Sequence, residues 1–245
     1  MLSEKKDQSG SRKKIVVQRD GPYLVVGEIP LVEKEQIVSE YGEPLTWKKG
    51  KTIPTQTPYE LCRCGHSKEF PFCDYSHLEI DFDGTESADS QPTAARQKVL
   101  PGGTGIVVKQ DESLCMNSGF CGTRDKDINA IVRLSANTEM RSLLMAMIER
   151  CPSGSLVYAM SEGKPEIEPD LPEEIAVTVE ITSAGPIRGP LWVTGGIPVE
   201  RADGKPLEGR NRVTLCNCGH SCNKPLCDGA HRENPVETPP IEEQI

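Results

Sequence analysis

Apolar and polar positions follow different periods in different parts of the chain. Beyond Asn137, the residues Met140, Leu143, Leu144, Met147 and Ile148 fall at i, i+3, i+4, i+7 and i+8. That spacing predicts an amphipathic helix with its apolar stripe in a core. Asn137 is placed to cap it, and Pro152 is expected to end it near Cys151. The runs Gly105–Lys109 (GIVVK) and Leu156–Met160 predict strands on either side. Asp81–Lys98 is rich in Asp, Ser, Gln and Ala and reads as a linker. Met1–Lys13 and the stretch from Asn234 to Ile245 lack an apolar pattern and are expected to be disordered tails. The longest strongly apolar patch, Leu143–Ile148, falls far short of the roughly 18 residues of a membrane span, so none is expected.

A repeat sets the organisation. Leu61–His77 reads LCRCGHSKEFPFCDYSH and Leu215–His231 reads LCNCGHSCNKPLCDGAH, matching without gaps at ten of 17 positions. Upstream, Gly21-Pro22-Tyr23-Leu24-Val25 echoes Gly189-Pro190-Leu191-Trp192-Val193, and Ile29-Pro30 echoes Ile197-Pro198. Each copy is therefore a strand-rich stretch followed by a Cys/His loop, and the first carries 14 extra residues between these landmarks.

Composition narrows the class. The 245 residues include ten Cys, 22 Gly and 20 Pro but only 11 aromatics, which suits small modules that need staples. The net charge of −9 argues against a surface built for nucleic-acid phosphates. Met1–Lys14 is polar and charged, unlike a secretory leader, so the expected compartment is the cytoplasm. There, clustered cysteines point to metal rather than to disulfides.

Each loop has Cys-x-Cys, eight residues, Cys, three residues and His. The candidate ligands are Cys62, Cys64, Cys73 and His77, and again Cys216, Cys218, Cys227 and His231. Thiolate and imidazole suit both zinc and iron–sulfur centres, so ligand type leaves the two open. Structural zinc loops favour Cys-x2–4-Cys, and Cys-x-Cys is unusual for that knuckle. A zinc-stapled interaction module without a redox role is the alternative reading.

The pattern Cys-x-Cys-x2-Ser-x3-Pro-x-Cys-Asp-Gly-Ala-His in Cys216–His231 resembles the CDGSH iron–sulfur family, with Ser221, Pro225, Asp228 and Gly229 fitting beside the ligands. The first loop fits at Ser67, Pro71 and Asp74 and departs at Tyr75, where the family has Gly. A requirement for positive φ there would strain Tyr75. The resemblance implies one 2Fe–2S cluster per loop, held by three Cys and one His. Ser67, Asp74, Ser221 and Asp228 are expected to support the ligands, the two Asp by bonding nearby backbone amides or capping a following turn. One thiolate fewer than an all-Cys centre raises the expected potential. The imidazole, which competes for a proton near neutral pH, makes such a cluster labile. His66 and His220 are read as surface or supporting histidines. Relatives pair as strand-swapped dimers, so the two copies are expected to pair within one chain.

A weaker constellation lies between the loops. Cys115, Cys121 and Cys151-Pro152 resemble a single-cluster ferredoxin with Ser118 in place of the middle Cys, over roughly 102–160. Three thiolates with a vacant corner suit a 3Fe–4S cluster; a 4Fe–4S cluster, or a degenerate loop with none, is the other reading. Cys222 fits no ligand role and reads as a free thiol. Gly102-Gly103-Thr104-Gly105 lacks the Lys-Ser/Thr of a phosphate loop and reads as a turn. Arg63, Lys68, Arg210, Arg212 and Lys224 read as an exposed basic rim, either merely solvated or guiding an acidic redox partner.

The expected fold class is α+β: two strand-rich CDGSH modules at 15–80 and 171–233, a linker at 81–100, and a ferredoxin-like domain at 101–170. Tails at 1–14 and 234–245 complete it. The expected role is electron transfer or labile cluster transfer to a redox partner or an apo iron–sulfur acceptor, without enzymatic activity.

Overall fold

A computed structural model describes residues 13–236. The parts of the tails at 1–12 and 237–245 lie outside the described residues. The chain is α+β and strand-rich, with three sheets.

The first copy supplies β1 (Lys14–Val17), β2 (Tyr23–Val26), β3 (Leu31–Val38), β4 (Pro44–Ile53) and β5 (Tyr59–Leu61). The second supplies β9 (Ile175–Thr182), β10 (Gly185–Thr194), β11 (Val199–Glu200) and β12 (Arg212–Leu215). The copies interleave. One sheet runs β11-β1-β2-β5 and the other β12-β10-β9-β3-β4. Thus β11 leaves its own copy to lie parallel to β1, with Ile15 opposite Val199. In exchange β3 lies parallel to β9, with Leu31 opposite Ile175. The registers are equivalent: Tyr23 faces Leu61 on β5 as Leu191 faces Leu215 on β12.

Alternating burial explains the exchange. Ile15, Val17, Tyr23, Val25 and Leu31 are buried, and so are Ile175, Leu191, Val193 and Leu215, all in one core. Neither set encloses a core alone at this size. The Tyr23 hydroxyl ties the halves further, donating to the Cys216 and Pro225 carbonyls at 2.7 and 3.1 Å. Glu174 anchors the exchanged hairpin, with Lys34 and Lys49 at 2.8 and 2.7 Å from its carboxylate.

The middle segment has α1 (Thr93–Arg96), β6 (Lys98–Val99), β7 (Val107–Gln110), α2 (Ile128–Arg133), α3 (Thr138–Arg150) and β8 (Leu156–Ala159). Its sheet, β6-β7-β8, packs with α2 and α3 around Ile131, Leu144 and Ile148. The Asn137 carboxamide oxygen accepts from the Glu139 and Met140 amides and so caps α3, which ends at Cys151. The linker expectation at 81–100 is corrected at its far end, because Thr93–Arg96 is helical and Val99 pairs with Lys109. With two residues, β6 is too short to show an alternation, and Val99 is exposed, since a strand at a sheet edge needs only backbone partners. The tail boundaries also move toward the termini: Lys14 opens β1, and the Val236 carbonyl accepts from the Arg188 amide. Among the described residues no helix is long and apolar enough to cross a membrane.

The 14 extra residues of the first copy extend the β3–β4 hairpin over the middle segment. Gln36 donates to the Ser118 carbonyl at 2.9 Å, and Trp47 stacks between Phe120 and Trp192 with ring centroids 5.5 Å away on each side. Truncating Trp47 to alanine is expected to cost about 2 kcal/mol, below the usual range for a fully buried Trp because this ring is half-exposed. Urea denaturation measures it, and an unchanged midpoint would show that the hairpin rests on the segment without supporting it.

Candidate metal centres

Both Cys/His loops are closed by the same pair of backbone bonds. The Cys62 amide donates to the Pro71 carbonyl and the Cys73 amide to the Glu60 carbonyl. The Cys216 and Cys227 amides do the same with Pro225 and Thr214. These bonds bring each loop's last Cys and its His back over the first two Cys.

The donors stand in pairs. Cys62 and Cys64 Sγ are 3.8 Å apart, and Cys73 Sγ is 3.4 Å from His77 Nδ1. In the second loop Cys216 and Cys218 Sγ are 3.7 Å apart, and Cys227 Sγ is 3.4 Å from His231 Nδ1. A tetrahedral metal with thiolate bonds of about 2.3 Å sets two sulfurs about 3.8 Å apart, and a sulfur and an imidazole nitrogen about 3.5 Å apart. Each loop thus offers two half-sites. Among the described residues no three such side chains converge as a single ion requires.

Within each Cys-x-Cys pair one thiol is favoured as thiolate at its neighbour's expense, since the hydrogen bond that lowers Cys62 and Cys216 raises Cys64 and Cys218, as does burial. Cys62 is pulled down to about 6, first by the hydrogen bond from Cys64 and then by the Ser67 and Gly65 amides. Cys216 is pulled down to about 6 in the same way by Cys218 and the Ser221 and Gly219 amides. Burial pushes Cys73 and Cys227 up, which makes a cation at those sulfurs the natural compensation.

The supporting residues act on the backbone. Ser67 donates to the Phe72 carbonyl at 2.6 Å, and Ser221 to the Leu226 carbonyl at 2.7 Å. Asp74 accepts from the Lys68 and Ser76 amides, and Asp228 from the Cys222 and Ala230 amides. His66, His220 and the free thiol of Cys222 are exposed.

Tyr75 has φ +66 and its counterpart Gly229 has φ +94, so both loops require a left-handed residue there. The Tyr75 hydroxyl, donating to Glu60 at 2.9 Å, helps to hold the strained residue. A side chain at Gly229 has no such freedom: its Cβ would lie 2.8 Å from Asn117 Nδ2 and 3.1 Å from the Met116 carbonyl.

Two of the cations read as a basic rim are not on the surface. Arg63 is 2% exposed and donates to the Gln18, Gly21 and Gly84 carbonyls. Its counterpart Asn217 donates to the Gly189 carbonyl at 3.0 Å, the equivalent of Gly21. Arg212 is 1% exposed and donates to the carbonyls of Ile148 and Glu149 at the end of α3, and of Leu156. Charge in a loop sequence does not reveal where carbonyls converge, and carbonyls claim these two guanidinium groups.

The middle segment gathers its three thiols around one cavity. Cys115, Cys121 and Cys151 line a space of about 180 Å³ together with Ser118 and Ser153. Burial, then the neighbouring Cys151 and Cys115, pushes Cys121 up to about 11. These three donors and the empty volume between them fit a compact multinuclear cluster.

The centres are also joined. Cys64 pairs with Cys218 in an isolated antiparallel bridge. Asn117, two residues after Cys115, reaches the Asp228 carbonyl beside Cys227 at 3.4 Å. Sequence reasoning missed two groups around the second loop. Glu180, fully buried, approaches His231 Nε2 at 3.2 Å and Arg232 at 2.6 Å. The one signal for Glu180 was a carboxylate inside the apolar run of β9; Asn117 left none.

Comparison with known families follows the same division. Residues 20–78 and 188–232 match the model described as iron-binding zinc finger, CDGSH type. Residues 102–161 match the model of a divergent 4Fe-4S mono-cluster family. No curated protein and no solved structure matches the chain.

Proposed function

We propose that this iron–sulfur chain, built of two CDGSH segments around a divergent mono-cluster segment, is an electron carrier with three centres in series. Cys62, Cys64, Cys73 and His77 hold one 2Fe–2S cluster, and Cys216, Cys218, Cys227 and His231 the other. Cys115, Cys121 and Cys151 hold a 3Fe–4S cluster, because Ser118 is a poor substitute for a fourth thiolate. When bound, such clusters supply one-electron chemistry. The protein fixes their ligands, shields the sulfurs and sets their neighbours. The observation that carries this reading is contiguity: the Cys64–Cys218 bridge joins the two outer loops, and Asn117 joins the middle loop to the second. The groups at these centres are ligands and supports of ligands, which fits a carrier rather than an enzyme.

Iron and acid-labile sulfide counts on anaerobically purified protein, with EPR, test the reading. About seven irons per chain are expected, and about four would leave the middle cavity without a cluster. Zinc without sulfide would restore the zinc-stapled alternative, against which the paired donors already weigh.

A second reading is delivery of a labile 2Fe–2S cluster to an apo-acceptor. It is favoured at the first loop alone, where Cys73 is half-buried, whereas Cys227 and His231 are each 2% exposed. Passage to an apo-ferredoxin without chelator-accessible iron would support it.

A further inference from the structure

The two loops share a backbone but not an outer face. Tyr75, Leu78 and Ile80 are 56%, 74% and 39% exposed within six residues of chain. Their counterparts in the second copy are Gly229, Arg232 and Asn234. Gly229 is closed off by Met116 and Asn117, and Arg232 is paired to buried Glu180. At these positions, among the described residues, the first loop thus presents an apolar face and the second does not. That face sits directly on candidate ligands: Tyr75 lies between Cys73 and His77 in sequence, and its ring is 5.9 Å from the His77 ring.

The face has a distinct electrostatic setting. Between residues 60 and 90 the chain has eight Asp or Glu and two Lys or Arg, and one of the two, Arg63, is buried. Glu69, Glu79, Asp81 and Asp83 are exposed around the apolar residues. Tyr75 adds a further mark. An exposed aromatic side chain kept at positive φ costs about 1 kcal/mol or more, and glycine in the other loop avoids that cost. Tyr is among the residues enriched at the hot spots of protein interfaces.

We infer that Tyr75, Leu78 and Ile80 form the docking face for a protein partner with an apolar centre and a basic rim, opposite in charge to the acidic partner that a basic rim on this chain would imply. The acidic residues steer the encounter, and the apolar residues hold it. The inference rests on the carrier reading for what passes across the face, but not for the binding itself.

Cytochrome c, a redox protein with a lysine-rimmed apolar edge, serves as the probe. Calorimetric titration of the full chain at about 20 mM salt is expected to show saturable binding that weakens at about 200 mM. The neutral double variant Leu78→Gln/Ile80→Asn, which leaves every charge in place, is expected to weaken it about tenfold. A matching change at the second loop, Asn234→Ala, is expected to leave it unchanged. Equal affinity in the Leu78/Ile80 variant would overturn the inference, because binding would then follow the net charge alone. Sedimentation showing wild-type chains paired through this face, and single in the variant, would overturn it in favour of a second copy. Both side chains are exposed, so the variant's thermal midpoint should equal that of the wild type. If docking holds and no electron or cluster passes, the carrier reading fails and the docking face stands.

Discussion

Replacing Gly219 by alanine is expected to empty both outer centres at once. Gly219 has φ +81, and a Cβ there would sit 2.5 Å from the Cys64 carbonyl oxygen. Gly65 is its mirror, with φ +84 and a Cβ position 2.5 Å from the Cys218 carbonyl oxygen. Each glycine thus lies against the backbone of a ligand in the other loop, and no flexible side chain is available to yield. Left-handed strain of about 1–2 kcal/mol adds to a backbone clash, and a total of about 4 kcal/mol is expected. Gly204 provides the control. Its φ is also +81, but nothing lies within 4 Å of its Cβ position, so Gly204→Ala isolates the strain. Iron content and visible absorbance are the readouts. Retention of both outer centres in Gly219→Ala would show that the loops do not support each other.

The second large effect is expected at Arg212. Its guanidinium joins β12, which leads into the second loop, to the end of α3, which leads into Cys151. It also lies 3.0 Å from Glu168. Arg212→Met takes the guanidinium from the Glu149 and Leu156 carbonyls and from Glu168, while the Ile148 carbonyl keeps the Cys151 amide, and a loss of about 3 kcal/mol is expected. Arg212→Lys keeps the charge but not the planar fork, and it should recover less than half of that loss. Denaturation midpoints measure both. Iron loss should begin at the middle centre, because Cys151 directly follows the helix end that Arg212 caps. A lysine variant as stable as wild type would mean that charge alone matters here.

Much of the local structure was legible because it depends on local spacing. The i, i+3, i+4 stripe and Asn137 marked α3 to within a residue at its start. The repeated Cys/His spacing marked both loops, and aligning Tyr75 with Gly229 disclosed a backbone demand that the dihedral angles now show. The strand exchange left no such local trace. Ile15 and Val199 lie side by side although more than 180 residues separate them, and a parallel pair so distant has no turn to announce it. The first copy's insertion could be counted but not placed, because what it covers, Phe120 and Ser118, belongs to another segment. Arg63 and Arg212 looked like surface charge, since the carbonyls that claim them are contributed by distant turns.

The interleaving of β3 and β11 carries a consequence for how the assembly responds to dilution. Separate chains that swap strands come together in a bimolecular step, and their paired fraction falls with concentration. Here both partners hang on one backbone, at an effective concentration that the intervening segment fixes, about millimolar for a flexible tether. Assembly of the two outer loops is therefore a folding event, as complete in a dilute solution as in a concentrated one. It also frees each loop from matching the other. In a homodimer a glycine-to-tyrosine change appears on both faces, whereas here Tyr75 stands on one face and Gly229 stays closed against Asn117 on the other.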